Sequence, residues 1–75
     1  MTESEPIDAY DELGVTQLLY AVFIGDFAKV QELLQRGANP NKPQRDDPSA
    51  TPLWHAQEDF GLVDVAQLLR AHGAR

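Results

Sequence analysis

Residues 49–56 read SATPLWHA, and residues 14–21 read GVTQLLYA. The two stretches share three identical residues at one offset of 35 positions, namely Thr16 and Thr51, Leu18 and Leu53, and Ala21 and Ala56. The segments that follow, 25–37 and 61–73, each begin and end with glycine, but they lie 36 positions apart. The chain therefore contains one unit twice, and the second unit has one extra residue between Ala56 and Gly61.

Each unit is predicted to contain two helices. Thr16 and Thr51 are suitable N-caps for the first helix, because a hydroxyl oxygen can accept a hydrogen bond from an unpaired N–H group of the first turn. Pro52 suits the first helical position of the second unit. Gly25 and Gly61 are predicted to end the first helix of each unit.

The second helices are predicted at 27–36 and 62–72. Three apolar residues fall on one face of each helix, namely Val30, Leu33 and Leu34 in the first and Val65, Leu68 and Leu69 in the second. Gly37 and Gly73 follow, at positions where a left-handed residue commonly ends a helix. Between the units, residues 38–50 contain three prolines, which exclude a helix and predict an extended, projecting loop.

These residues resemble the ankyrin repeat. Its signature is Thr-Pro-Leu-His-x-Ala, then a glycine, then a helix rich in Val and Leu that ends in Gly-Ala-Asp-x-Asn. The match is best at 51–56 and 37–41, and it runs from about residue 7 to residue 74. The resemblance implies an all-α fold, an ankyrin-repeat solenoid of two helix-turn-helix repeats with a long finger loop between them.

The resemblance also implies one domain over residues 1–75. The predicted boundaries are a flexible N-terminus at 1–6, repeat one at about 7–37, the finger loop at 38–50 and repeat two at about 51–75.

The chain departs from the ankyrin pattern in three ways. The slot of the signature histidine holds Leu19 in one unit and Trp54 in the other. The stretch from Gly37 to Thr51 is two residues longer than is usual in the family. Two repeats are also fewer than the three that stacking normally requires. We expect Trp54 to compensate by burying its ring between the units, so that Trp54→Ala would cost about 3–5 kcal/mol.

Composition narrows the function. The 75 residues carry a net charge of −6 and no cysteine. The negative charge argues against a nucleic-acid partner, whose phosphates need Lys and Arg, and the lack of cysteine excludes disulfides and thiolate metal sites. The N-terminus does not resemble a secretory signal, and the longest apolar stretch, 18–24, is too short to span a bilayer. We predict a cytoplasmic location.

The sequence contains no motif typical of catalysis. It lacks a glycine-flanked nucleophile turn, a phosphate-binding loop and a cluster of histidines at metal-ligand spacing. We therefore expect a protein that is not an enzyme and has no metal and no cofactor.

The resemblance implies that targets lie along the concave side, which the finger loops and first helices form. Carried over to this chain, that side selects as partner-binding residues Tyr10, Glu12, Leu13, Tyr20, Phe23, Ile24, His55, Glu58, Asp59, Asp46 and Asp47. Phe23 and Ile24 occupy slots that are usually polar, so their exposure would form an apolar patch among acids. The alternative is that this pair folds over the unprotected end of a two-repeat stack.

We therefore expect a protein-interaction module that binds a basic protein partner through an acidic, aromatic concave face. One concrete version is an immunity protein or antitoxin, because small stand-alone ankyrin proteins resemble some of the neutralising partners encoded beside bacterial toxins. The alternative is a structural or regulatory subunit that self-associates through its open repeat ends as a homo-oligomer. A third interpretation is a fragment of a longer repeat array. None of the three involves nucleic acid or a membrane.

Overall fold

The computed structural model describes residues 6–75. The flexible N-terminus predicted for residues 1–6 therefore lies outside the described residues, except for Pro6. The elements, in chain order, are α1 (Gln17–Phe23), α2 (Phe27–Gln35), α3 (Pro52–Trp54), a π-helical segment (His55–Asp59) and α4 (Val63–Ala71). Residues 6–75 contain no β-strand, and one isolated bridge joins Gln44 and Asp47. The all-helical class is confirmed.

The predicted N-caps are confirmed. The Thr16 hydroxyl accepts a hydrogen bond from the Leu19 N–H at 3.2 Å, and the Thr51 hydroxyl accepts one from the Trp54 N–H at 3.0 Å. Both first helices therefore begin at the predicted position.

The glycines that end the second helices are also in the predicted conformation, with φ of 98° at Gly37 and 99° at Gly73. The second helices end one residue earlier than predicted, and α4 also begins one residue later. Differences of this size are common at helix ends, where the final turn loses regular hydrogen bonding.

The extra residue of the second unit lies in the π-helical segment. Here the Phe60 N–H donates to the carbonyl oxygen of His55, five residues earlier, at 3.0 Å. A π-helical turn contains one more residue than an α-helical turn over the same length. The segment therefore absorbs the insertion between Ala56, which is fully buried, and Gly61 without displacing α4.

One hydrophobic core joins the two units. Its members are Leu18, Ala21, Val22, Val30, Leu33, Leu34 and Ala38 from the first unit and Leu53, Ala56, Val65, Ala66 and Leu69 from the second. Burying each large aliphatic side chain contributes about 1.5–3 kcal/mol. The face predicted for α4 is corrected at one position: Ala66 is buried, whereas Leu68 is only partly buried at the edge of the core.

The predicted burial of Trp54 is wrong. Its side chain is 43% exposed, whereas Leu19, at the equivalent position of the first unit, is fully buried. An indole ring is larger than a leucine side chain and carries an N–H group that needs a partner when buried. At position 54 the ring stays at the surface and packs edge-on against His55, with their centroids 5.1 Å apart.

The loop at 38–50 is non-helical, as predicted, but it does not project freely. It forms tight turns and is hydrogen-bonded to the segment before α1. The Arg45 N–H donates to the Gly14 carbonyl oxygen at 2.9 Å, and the Lys42 ammonium donates to the Asp8 carbonyl oxygen at 2.7 Å. The unpaired backbone groups of each segment are satisfied by the other, which holds the loop against the protein.

Candidate protein-binding surface

Five aromatic side chains from both units are in contact, and we call them the aromatic patch: Tyr20, Phe23, Trp54, His55 and Phe60. The ring centroids are 4.8 Å apart between Phe23 and His55, and 6.0 to 6.1 Å apart between Phe23 and its neighbours Phe60 and Tyr20. Most of these pairs meet edge to face, which is a favourable aromatic geometry. Tyr20 is 41% exposed and Phe60 43%, so together with Trp54 they present three rings to solvent.

His55 lies beneath these rings and holds the patch together. Its side chain is buried, and its predicted role in partner binding stays a prediction. Its Nδ1 lies 3.1 Å from an Asp59 carboxylate oxygen, and its Nε2 lies 2.8 Å from the Gln44 side-chain oxygen. His55 therefore connects the finger loop to the π-helical segment, and this dual pairing satisfies a polar ring that would otherwise be costly to bury.

The predicted exposed pair on α1 is divided between two environments. Ile24 is 72% exposed, but Phe23 is half-buried between the rings of His55 and Phe60. Phe23 is therefore a contact between the two units, and its predicted role in partner binding stays a prediction. This position agrees with the alternative interpretation for Phe23, in which the ring covers apolar surface of the stack.

Acidic side chains flank the patch. Asp47 accepts hydrogen bonds from the Ser49 hydroxyl at 2.7 Å and the Ser49 N–H at 3.1 Å. These bonds, together with the nearby His55, hold the pKa of Asp47 below its ordinary value. Asp59 is paired with His55, while Glu58 is exposed. The predicted residue Asp46 is also exposed, with its carboxylate 3.5 Å from the Arg45 guanidinium.

A groove lies between α1 and the segment before it, and we call it the tyrosine groove. It is open, has a volume of about 580 Å³, and its lining includes Tyr10, Asp11, Glu12, Gln17 and Tyr20. The Val15 N–H, which donates to the Asp11 carboxylate at 3.0 Å, is the main cause of a lowered pKa at Asp11. The Asp11 carboxylate in turn raises the pKa of the Tyr20 hydroxyl. At neutral pH the groove therefore contains an ionised carboxylate beside a neutral phenol.

Only part of the Tyr10 side chain is free to contact another molecule, although Tyr10 was predicted as a partner-binding residue. Its hydroxyl donates to the Pro43 carbonyl oxygen, and the Lys42 ammonium lies 4.4 Å from the centre of its ring. The finger loop therefore occupies one side of the ring.

The structure brings the predicted site residues together in two groups that share Tyr20. Tyr10 and Glu12 line the tyrosine groove, while Phe23, His55 and Asp59 belong to or border the aromatic patch. The other predicted residues are exposed but make no contact with the rings of the patch among the described residues, namely Leu13, Ile24, Asp46, Asp47 and Glu58.

Two residues of this surface were missed as site residues in the sequence. Trp54 was predicted to be buried, and Phe60 was not singled out. Gln44 lies in the predicted finger loop, but its pairing with His55, 11 positions away, was not predicted. The extra residue before Gly61 was the one sequence signal near Phe60, since insertions inside helices often mark functional positions.

Over residues 6–75, no three His, Asp or Glu side chains are grouped in a way that could hold a metal ion. Nor does any helix in that range have the length and apolar character needed to cross a bilayer.

Segments of much longer proteins are similar to this chain. The human mitochondrial disaggregase is 44% identical over 62 residues, which cover 83% of this chain and 8% of that protein. The mouse 2-5A-dependent ribonuclease is 42% identical over 59 residues, covering 79% and 8%. The bovine mitochondrial disaggregase is 46% identical over 57 residues, covering 76% and 8%.

The disaggregase and the ribonuclease are proteins that contain ankyrin repeats. The chain spans only about 8% of the length of these relatives. No protein-family model matches the chain.

Proposed function

We propose that this chain is a two-repeat ankyrin domain whose function is to bind another protein. Two hydrogen bonds at equivalent positions support the repeat assignment. The Asn39 N–H, two residues after Gly37, donates to the Asp8 carboxylate at 2.8 Å. The Arg75 N–H, two residues after Gly73, donates to the Asn41 side-chain oxygen at 3.0 Å. The two units are thus closed by the same kind of contact, in addition to their equivalent caps and glycines.

The observation that carries the binding function is the exposure of Tyr20, Trp54 and Phe60 in one contiguous patch. Exposed aromatic clusters of this kind mark interaction sites, because large rings bury much area on binding and lose little side-chain entropy. His55 and Phe23 pre-organise the rings, which reduces the entropic cost of ordering them in a complex.

The charge of the surface favours a basic partner. The chain carries a net charge of −6, and Asp47, Glu58 and Asp59 lie on or beside the elements that form the patch. Complementary charge increases the rate of encounter, while the aromatic centre slows dissociation. A more specific form of this proposal is that the chain neutralises its partner, as an immunity protein or antitoxin does. We also propose a cytoplasmic location. We propose no enzymatic activity and no nucleic-acid or membrane partner.

The proposal is tested by affinity capture from the native host followed by mass spectrometry. The bait carrying Trp54→Ser and Phe60→Ser should lose a partner that the wild-type chain retains. Phe27→Ser is the matched control, because Phe27 is 42% exposed but makes no contact with the rings of the patch. The proposal fails if the double variant and the control capture the same proteins, with circular dichroism showing that both are folded.

Charge is tested separately by binding kinetics with a captured partner. Glu58→Lys should lower the association rate constant and weaken its dependence on salt, because fewer long-range attractions remain. Glu58 is the suitable position, since Asp59 is engaged with His55 and its replacement would also disturb the fold. An unchanged association rate would argue against electrostatic steering by this surface.

The alternative is self-association through an open repeat end. It is disfavoured because two positions that are apolar in the first unit are polar in the second. Val22 and Leu34 are buried where the first unit meets the second, but the equivalent residues of the second unit are Gln57 and Arg70, which are exposed. A polar outer face is what a terminal repeat needs to avoid further stacking. Sedimentation velocity should therefore show a monomer at micromolar concentration, and a stable dimer would restore the alternative.

A further inference from the structure

The tyrosine groove has a composition that differs from the rest of the surface. Two tyrosines and two carboxylates line it, and its lining within residues 6–75 includes no lysine, arginine or histidine. At about 580 Å³ it can take one long side chain from another molecule. It shares Tyr20 with the aromatic patch, so a protein seated on the patch would lie directly beside it.

Cations from the chain itself already approach this region from the side of the finger loop. The Lys42 ammonium lies 4.4 Å from the centre of the Tyr10 ring, within the range of a cation–π interaction. The Arg45 guanidinium lies 3.5 Å from the Glu12 carbonyl oxygen. Tyr10 and the backbone beside Glu12 therefore stabilise positive charge where the loop reaches them, and the Glu12 side chain lines the open groove.

The carboxylate of Asp11 is held in a defined orientation. One of its oxygens accepts hydrogen bonds from the N–H groups of Leu13 at 2.9 Å and Val15 at 3.0 Å. This anchoring leaves the negative charge in place near the neutral Tyr20 hydroxyl. A fixed carboxylate next to an aromatic ring is a favourable environment for a planar cation.

We propose that the tyrosine groove binds an arginine side chain of the protein partner. Arginine is favoured over lysine, because its planar guanidinium can stack on a tyrosine ring and donate several hydrogen bonds to carboxylates at once. The guanidinium stacks against Tyr20 and pairs with Glu12 and Asp11. This inference rests on the proposed function and assigns the partner a recognisable feature: an arginine adjacent to apolar side chains that cover the aromatic patch.

The test uses a small probe and needs no partner. The wild-type chain, labelled with ¹⁵N, is titrated with N-acetyl-arginine amide, and amide shifts are followed by NMR. Millimolar binding should shift the resonances of Val15, Gln17 and Tyr20. N-acetyl-citrulline amide, which has nearly the same shape but no charge, should produce no such shifts. Equal effects of the two probes, or shifts scattered over the surface, would overturn the proposal.

Variants locate the site. Glu12→Gln should weaken binding of the arginine probe by about two- to fivefold, the size expected for one exposed ion pair. Asp64→Asn, which removes an exposed carboxylate in the first turn of α4, outside both the groove and the aromatic patch, is the control and should leave binding unchanged. Equal weakening by both would mean that the probe responds to net charge alone, which contradicts a groove-specific site.

The outcomes separate this inference from the proposed function. If the arginine probe does not bind but the patch variants lose a captured partner, the groove assignment is wrong and the binding function stands. If the probe binds in the groove while the patch variants capture the same proteins as wild type, the groove stands as a cation site and the proposed function of the patch fails.

Discussion

Replacing His55 with phenylalanine should destabilise the protein while keeping a ring at the centre of the aromatic patch. The substitution removes two hydrogen bonds, at 3.1 Å to Asp59 and 2.8 Å to Gln44. Each such bond contributes about 0.5–1.5 kcal/mol net, so the loss lies between about 1 and 3 kcal/mol. Because the Asp59 side chain is 46% exposed, water can solvate it after the change, which favours the lower half of that range.

The assay is thermal unfolding followed by circular dichroism. For a domain of this size, 1 kcal/mol corresponds to a Tm change of about 4–8 °C, so His55→Phe should lower Tm by roughly 4–16 °C. His72→Phe is the matched control, because it makes the same replacement at an exposed position at the end of α4. A Tm of His55→Phe equal to or above that of the control would refute the role of His55 as a link between loop and π-helical segment.

Further changes test the core, the exposed indole of Trp54, the carboxylate of Asp11 and the π-helical segment. Leu69→Ala should cost about 2–5 kcal/mol in a urea melt, since Leu69 is fully buried, and a loss below 1 kcal/mol would place the core elsewhere. Trp54 fluorescence should be quenched readily by acrylamide in the folded protein, and strong protection would contradict its exposure. The folded pKa of Asp11 lies below its ordinary value of 3.8, so Asp11 contributes stability above that value and loses it as pH falls through the folded pKa. Stability should therefore fall less steeply below pH 3.8 in Asp11→Asn than in wild type, as measured by urea melts across pH. Deleting Glu58 restores the 35-residue offset between the two units. The π-helical segment should then become α-helical, with the Phe60 N–H donating to the carbonyl oxygen of the residue four positions earlier. Unchanged NMR contacts between Phe60 and its neighbours would show that the π-helical turn does not arise from the insertion.

The sequence by itself determined the positions of the helices and their ends. These features are local, because a threonine cap acts on an N–H group three residues away, as Thr16 does on Leu19. A glycine with positive φ ends a helix through its own backbone freedom, as Gly37 does. The single extra residue after Ala56 could also be identified from the sequence, because the offset between equivalent residues of the two units changes from 35 to 36 positions there.

The tertiary structure alone decided which side chains are available to a partner. The sequence could not show that His55 is buried while its neighbour Trp54 is exposed. The reason is that the buried His55 ring pairs with Gln44, which the finger loop supplies. The tyrosine groove depends on Tyr10 being held by Pro43, a residue 33 positions away. Such contacts combine several segments in three dimensions. The π-helical form of the insertion also depends on the tertiary structure. Ala56 is packed in the core and Gly61 precedes α4, so the extra residue has to be accommodated between these two positions.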